Sequence, residues 1–131
     1  MNDPVTEELL NLNQRLLDSI TTGDWATYEQ LCAPSLTAFE PEGQGLLVEG
    51  LGFHQFFFNL GGVKGQHHTT MARPHVRIMG DVAVVAYVRL NQRLDGQGQP
   101  VITGSEETRV WQRQANGGKH VHFHRSPLSV S

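Results

Sequence analysis

Apolar residues in the first part of the chain recur at a spacing of three and four. They occupy positions 5, 9, 12, 16 and 20, which is the period of an α-helix that buries one face. The spacing predicts a long amphipathic helix over residues 4–22. Asp3 is suited to the N-cap, Pro4 to the first helical position, and Gly23 to the C-terminal stop.

A second helix and several short elements follow. Asp24 can cap a helix that buries Trp25, Tyr28, Leu31 and Cys32 and stops at Pro34. Short extended pieces are expected over 36–40 and 46–48, joined by a glycine-rich turn over 42–45. The apolar positions between 50 and 60 are too dense for a strand with one wet face and predict a third short helix. Gly61, Gly62 and Gly65 then predict a mobile connection.

The second half of the chain alternates between apolar and polar residues. Four segments with period two, residues 67–79, 82–94, 101–114 and 119–125, are rich in β-branched and aromatic residues and are separated by short turns. Helices followed by an antiparallel meander predict an α+β fold, with the long helix packed on one face of a curved sheet. The length of 131 residues fits a single domain over 1–131.

Charge and composition exclude several classes of function. Ten Lys and Arg against thirteen Asp and Glu give a net charge of −3, the wrong sign for a nucleic-acid binder. The apolar stretches are far shorter than the roughly 20 residues of a membrane span, and the N-terminus is acidic where a signal peptide is basic. One cysteine, Cys32, excludes an intramolecular disulfide, so we expect a cytoplasmic protein with Cys32 as a core thiol. Gly43-x-Gly45 lacks the third glycine and the other motifs of a kinase.

Strand parity brings out three arginines. Each lies two residues from an aromatic side chain, and side chains two apart share a face of a strand. The pairs are Arg89 with Tyr87, Arg109 with Trp111, and Arg125 with Phe123. If the faces coincide, the arginines converge on one surface floored by the aromatics. Their repulsion then requires anions, either Glu40 and Glu107 or a bound carboxylate. The alternative is three solvated arginines on an open face.

The histidines form a second group. His120, His122 and His124 recur at every second residue, which places all three on one face of one strand. No carboxylate is fixed near them, so we predict no metal site and place them at a subunit interface or on the outer sheet face. His54, among phenylalanines, is expected to be a buried core or rim histidine; the alternative is a general base or ligand contact.

Three motifs carry a family resemblance: LTAFEPE at 36–42, SEETRVW at 105–111 and HFHRS at 122–126. With their spacing, they make residues 4–127 resemble the association, or hub, domain of calcium/calmodulin-dependent protein kinase II. The resemblance implies the cone-shaped fold called nuclear-transport-factor-2-like or SnoaL-like. It also implies self-association, in which dimers assemble into two stacked rings to give a dodecamer or tetradecamer.

The resemblance further implies a cavity lined by arginines that binds small carboxylates such as γ-hydroxybutyrate analogues. Matching positions are Arg89, Arg109, Arg125 and His54. Together with the strand pattern, this predicts six ligand-binding residues: Arg89, Arg109, Arg125, His54, Tyr87 and Glu40. Vertebrate hubs have a tryptophan in the loop where this chain has Gly61 and Gly62, so we expect no gating by that side chain.

No catalytic residue, cofactor or metal is predicted for a hub, and kinase domains would be partners only if they belong to another chain or a longer parent. The sequence reaches its first helix almost at once, which we interpret as a free-standing homologue or an excised domain. A SnoaL-like enzyme or small-molecule-binding protein that uses His54 or Glu40 beside the arginines is the alternative. A calmodulin-binding chain is excluded because the long helix is acidic.

Overall fold

The computed structural model describes residues 3–128 as helices packed on a six-stranded sheet. The helices are α1 (Pro4–Thr22), α2 (Trp25–Leu31) and α3 (Gly52–Phe58). The strands are β1 (Cys32–Phe39), β2 (Val48–Glu49), β3 (His67–Met79), β4 (Val82–Leu94), β5 (Pro100–Gln114) and β6 (Gly117–Pro127). No helix in this part of the chain combines the length and the apolar character that a membrane crossing requires.

The predicted helix α1 is confirmed at both ends. The Asp3 side chain accepts a hydrogen bond from the Thr6 backbone N–H at 2.9 Å, and Gly23 adopts a left-handed conformation with φ of 75°. The second helix ends earlier than we predict, because Cys32 already has extended backbone angles. Cys32 pairs with His120 of β6, so sheet pairing ends the helix before Pro34 can.

The sheet has the order β2-β1-β6-β5-β4-β3. Strands β3 to β6 form the predicted antiparallel meander, and the bounds of β3 and β4 agree with the prediction. Strand β1 instead lies parallel to β6, which makes the sheet mixed rather than purely antiparallel. Alternation within β1 cannot predict this pairing, because β1 and β6 are the first and last strands along the chain and meet only in the folded sheet.

One face of the sheet packs against α1. Leu16 and Leu17 are fully buried against Val85 and Trp111, and the Trp111 indole N–H donates to the Asn13 side-chain oxygen at 3.0 Å. This inner face carries the odd-numbered residues of β4 and the paired residues of β5. The site described below lies on the inner face, beyond the point where α1 ends.

The glycine connection after α3 is held against the end of α1. The Val63 backbone N–H donates to the Thr21 carbonyl at 2.7 Å. A Cβ atom on Gly62 would lie 2.3 Å from the carbonyl carbon of Thr22, so only glycine allows this approach. Mobility of the connection stays a prediction, but it is attached to α1 at this point.

Candidate functional site

The structure brings the three predicted arginines together. Arg89 on β4, Arg109 on β5 and Arg125 on β6 line one cavity of about 280 Å³. Two other predicted site residues, His54 and Glu40, line it as well. The remaining lining residues are Ile20, Tyr28, Glu42, Phe57, Phe58 and Phe123. The inner face therefore gathers cationic side chains, as strand parity predicts, inside a partly apolar enclosure.

Of the three aromatics that we predict as its floor, one lines the cavity. Phe123 does so, with the Arg109 guanidinium carbon 4.3 Å from its ring centre. Tyr87 is absent from the lining, and its hydroxyl donates to Glu107 at 2.6 Å and accepts from Arg109 Nε. Trp111 lies farther along β5, under α1. Tyr87 therefore contacts Glu107 and Arg109 behind the cavity and does not line the cavity itself.

Arg109 and Glu107 form a buried ion pair behind the cavity. Arg109 Nη2 donates to Glu107 Oε1 at 3.0 Å, and both residues are almost completely inaccessible to solvent. Burial raises the pKa of the Glu107 carboxyl, but Arg109 and Arg89 outweigh it and lower the pKa to about 2. Glu107 is thus an anion throughout the neutral pH range. Arg109 already donates hydrogen bonds to Glu107, Tyr87 and His120.

Arg89 is also buried but less completely paired. Its Nη2 donates to the Thr21 hydroxyl at 3.1 Å, and its Nη1 lies 3.7 Å from Glu107 Oε2. The Nε atom is buried and has no hydrogen-bond partner among the described residues. Burial lowers the pKa of Arg89. This guanidinium therefore carries charge and N–H groups that the protein compensates only in part.

Arg125 lies at the cavity rim. It is paired with Glu42, which belongs to the turn Pro41–Gly43, and both side chains are partly exposed, 24% and 39%. Sequence analysis did not identify Glu42, although its position two residues after Glu40 was a usable signal. Because the Arg125–Glu42 pair is partly exposed, breaking it costs little free energy, whereas breaking the buried Arg109–Glu107 pair costs much more.

Glu40 and His54 form a buried polar contact in the cavity. His54 Nε2 lies 3.0 Å from Glu40 Oε1, and both side chains are at least nine-tenths buried. The expectation of a buried histidine agrees with this environment, and His54 also lines the cavity. Its Nδ1 atom is buried without a partner in the described part of the chain. Pairing with Glu40 could not be predicted, because it joins α3 to the end of β1.

The prediction that three histidines of β6 share one face is wrong for His120. The β5–β6 register shifts between Val110 and Trp111, so Val110 pairs with His122 and Trp111 with His120. This bulge turns His120 into the core, where it is fully buried, while His124 stays exposed. Within residues 3–128, no three His, Cys, Asp or Glu side chains are placed to hold a metal ion together.

His120 connects the ion pair to the single cysteine. Its Nε2 lies 3.4 Å from Arg109 Nη1, and its Nδ1 lies 3.4 Å from Cys32 Sγ. Because a guanidinium only donates, Nε2 must accept and the ring proton is on Nδ1. Cys32 is a buried free thiol, and burial raises its pKa to about 12. It is therefore a core thiol, as expected, rather than a thiolate nucleophile.

We predict that His120 makes the fold sensitive to mild acid. Burial, followed by the charge of Arg109, lowers the pKa of His120 well below 6.5. As the pH falls below 6.5, His120 binds a proton in the unfolded chain but stays neutral in the folded chain. The free energy of unfolding therefore decreases by up to about 1.4 kcal/mol per pH unit. Urea unfolding at fixed protein concentration, at pH 7.5, 6.5 and 5.5, measures this slope.

The variant His120→Gln should flatten the slope, leaving a smaller contribution from His122, whose pKa burial also lowers. The matched control His75→Gln removes an exposed imidazole that is not among the groups lowering the pKa of His120 or His122, and should keep the slope of the unmodified protein. Equal slopes for His120→Gln and the unmodified protein would contradict the assignment.

Comparison with known proteins places this geometry in a family. Residues 5–129 match the model of the calcium/calmodulin-dependent protein kinase II association domain. The delta subunit of the type II kinase from Oryctolagus cuniculus is 46% identical over 123 residues, which are 92% of this chain. The chain spans only 23% of the length of that curated relative.

Solved structures agree with the sequence match. The calcium/calmodulin-dependent protein kinase II hub homology domain from Chlamydomonas reinhardtii is 45% identical, with a TM-score of 0.88 over 95% of this chain and 99% of that one. A nuclear transport factor 2-like protein of Salmonella enterica, 24% identical, has a TM-score of 0.77 over 97% of this chain and 93% of its own, which shows the fold alone. The fold is therefore the expected α+β, nuclear-transport-factor-2-like one, and the chain belongs to the calcium/calmodulin-dependent protein kinase II association domain family.

Proposed function

We propose that this chain acts as one self-associating hub domain, whose dimers assemble into a ring-like dodecamer or tetradecamer. The observation that carries the proposal is the match of residues 5–129 to the association domain family. An apolar sheet face supports it. On the side of β4 opposite to buried Ala83 and Val85, Val82, Val84 and Val88 are only partly covered, and Val84 stands beside Val110 of β5. A second copy would bury this face.

Light scattering coupled to size-exclusion chromatography tests the assembly. We expect the mass of a dodecamer or tetradecamer, and a monomer at micromolar concentration would contradict the proposal. Val84→Glu places a charge in the centre of the apolar face and should give a smaller, folded species. The control Val5→Glu changes an exposed valine on α1 and should leave the mass unchanged. A full-size oligomer of folded Val84→Glu would exclude this face as the interface.

A second part of the proposal concerns the arginine cavity, which we propose binds a small carboxylate. The cavity is not a bare cationic site, because Glu107 compensates Arg109 and Glu42 pairs with Arg125. Only the second of these pairs is partly exposed. A ligand carboxylate can therefore replace Glu42 on Arg125, while its apolar part packs against Phe57 and Phe58.

This exchange predicts opposite effects for the two partners of the rim pair. Arg125→Gln should weaken binding of γ-hydroxybutyrate at least tenfold, because it removes the charge that receives the carboxylate. Glu42→Gln should tighten binding, because it removes the competing internal carboxylate. Isothermal titration calorimetry measures both, with Glu49→Gln, an exposed change outside the cavity, as the control. Unchanged affinity in both rim variants would refute ligand binding at Arg125.

The Glu40–His54 pair is the observation that favours the alternative, an enzyme with general-base chemistry in the same cavity. Levulinate tests it, because its carboxylate fits the proposed arginine contact and its protons beside the ketone are acidic enough for a base to remove. Catalysed exchange of these protons in D₂O, lost in His54→Gln, would support the enzyme. Exchange at the buffer rate would support a binding cavity without catalysis.

The partners that we propose depend on whether this chain belongs to a longer protein. If this chain is one segment of a longer kinase, the hub would gather the kinase domains of its subunits around the ring. If it is free-standing, its partners are its own copies and the small carboxylate. In both cases we propose a cytoplasmic location, consistent with the buried, unpaired thiol of Cys32.

A further inference from the structure

The inner sheet face continues past Arg89 into a second cavity of about 210 Å³. Along β4, Arg89, Asn91 and Arg93 point to the same side because they are two residues apart. Their neighbours across the sheet are His67 and Thr69 on β3, and Thr103 on β5. All six residues line this cavity, which the end of α1 and Val63 cover on the other side. We call it the upper cavity.

The charge of the upper cavity is one-sided. Two arginines and two histidines, Arg89, Arg93, His67 and His68, line it, and no carboxylate does so among the described residues. A shallower cavity of about 270 Å³ adjoins it and shares His67, His68 and Arg93. Asp95 lines neither cavity, and its carboxylate accepts the backbone N–H groups of Gln97 and Gln99. Its charge also interacts with Arg93, so it compensates that arginine in part from outside the cavity. The arginine cavity, by contrast, contains its own glutamates.

Hydrogen-bond donors in the upper cavity are left over after internal pairing. The Asn91 side-chain oxygen accepts from Thr69, which leaves its N–H₂ group to donate. His67 Nδ1 donates to the Gly65 carbonyl, so Nε2 of the neutral ring is an acceptor, which can receive the O–H of a hydrogen phosphate. Arg89 contributes a buried guanidinium whose Nε has no partner in the described chain. Donors of Arg89 and Asn91 on β4 thus border a space that no carboxylate of the described residues lines.

We propose that the upper cavity binds a phosphate-type anion, either free phosphate or the phosphate group of a monoester. The donors of β4 are joined by the Thr103 hydroxyl of β5, so an anion with oxygens in several directions uses more of them than a planar carboxylate does. The bound anion would also compensate the charge of Arg89, which Thr21 and Glu107 satisfy only in part. This site is distinct from the carboxylate cavity, with which it shares only Ile20 and Arg89.

Calorimetric titration of the assembled protein with inorganic phosphate at pH 7 tests the proposal. Arg93→Gln is expected to weaken binding at least tenfold, and His67→Gln combined with Arg93→Gln to abolish it. Both side chains are exposed, so the fold should be unaffected. Two matched arginine variants are the controls: Arg77→Gln, on the outer face, and Arg125→Gln, in the carboxylate cavity. Both should bind phosphate as the unmodified protein does.

The proposal would be overturned by no heat of binding with millimolar phosphate, by full binding in the double variant, or by equal weakening in Arg77→Gln. Loss of binding in Arg125→Gln alone would instead assign phosphate to the carboxylate cavity and would equally overturn it. A parallel titration with glycerol 3-phosphate separates the two sources. Tighter binding than that of inorganic phosphate indicates a monoester, and weaker binding indicates the free anion.

Discussion

Arg109→Ala is expected to lower the free energy of unfolding by about 3–5 kcal/mol, although Arg109 lines the arginine cavity. The substitution leaves Glu107 buried as an anion, with Arg89 Nη1 at 3.7 Å as its remaining cationic partner. It also removes the donor to the Tyr87 hydroxyl and the cation above the Phe123 ring. Urea unfolding at fixed protein concentration and pH 7.5 measures the loss.

Arg125→Ala is the matched control, because it removes an arginine from the same cavity but from a partly exposed pair. Its cost should stay below about 1 kcal/mol. Adding Glu107→Gln to Arg109→Met should recover only part of the loss, because it removes the buried carboxylate but leaves the buried Arg89 without its ionic partner. A loss for Arg109→Ala no larger than that for Arg125→Ala would show that the buried pair contributes little to stability.

The three arginines thus have different tasks, which their common position relative to an aromatic residue does not reveal. Arg109 holds the buried carboxylate of Glu107, Arg125 lies at the rim in a partly exposed pair, and Arg89 lines two cavities. Side-chain alternation predicts which face each one occupies. It carries no information about depth, because depth depends on what α1 and α3 cover.

Local periodicity predicted the parts of the fold that local forces determine. The bounds of α1 follow from its caps and apolar face, and those of β3 and β4 from alternation between clear turns. The parallel pairing of β1 with β6 was missed, because it depends on contacts between residues more than eighty positions apart.

In the candidate site too, features set by local alternation could be predicted, and features set by contacts between distant residues could not. Convergence of the arginines required only parity and neighbouring strands, and both could be read from the sequence. His120 was misplaced because one extra residue in β6 reverses the face of the side chains before it, and nothing in the alternating pattern marks that bulge. Glu42 and its pairing with Arg125 depend on a turn that folds back over the sheet.

Gly62→Ala is expected to be about as damaging as the loss of Arg109, with a decrease in the free energy of unfolding of about 3 kcal/mol or more. Its Cβ would lie 2.3 Å from the Thr22 carbonyl carbon and 2.6 Å from the Gly23 nitrogen. These are backbone atoms at the end of α1, so no side-chain rotation relieves the overlap, and the cost lies at the upper end of the range for overpacking. Urea unfolding at fixed protein concentration measures it.

Gly96→Ala is the control, because a Cβ there meets no atom within 4 Å, and its effect should stay within about 0.5 kcal/mol. Equal unfolding midpoints for the two variants would show that the backbone around Gly62 can move to accept the Cβ atom with no loss in the free energy of unfolding. Since Val63, next to Gly62, covers the upper cavity, folded Gly62→Ala should also bind phosphate more weakly than Gly96→Ala does. The contact of Gly62 with the end of α1 is thereby linked to the proposed anion site, because the residue after Gly62 lines the upper cavity.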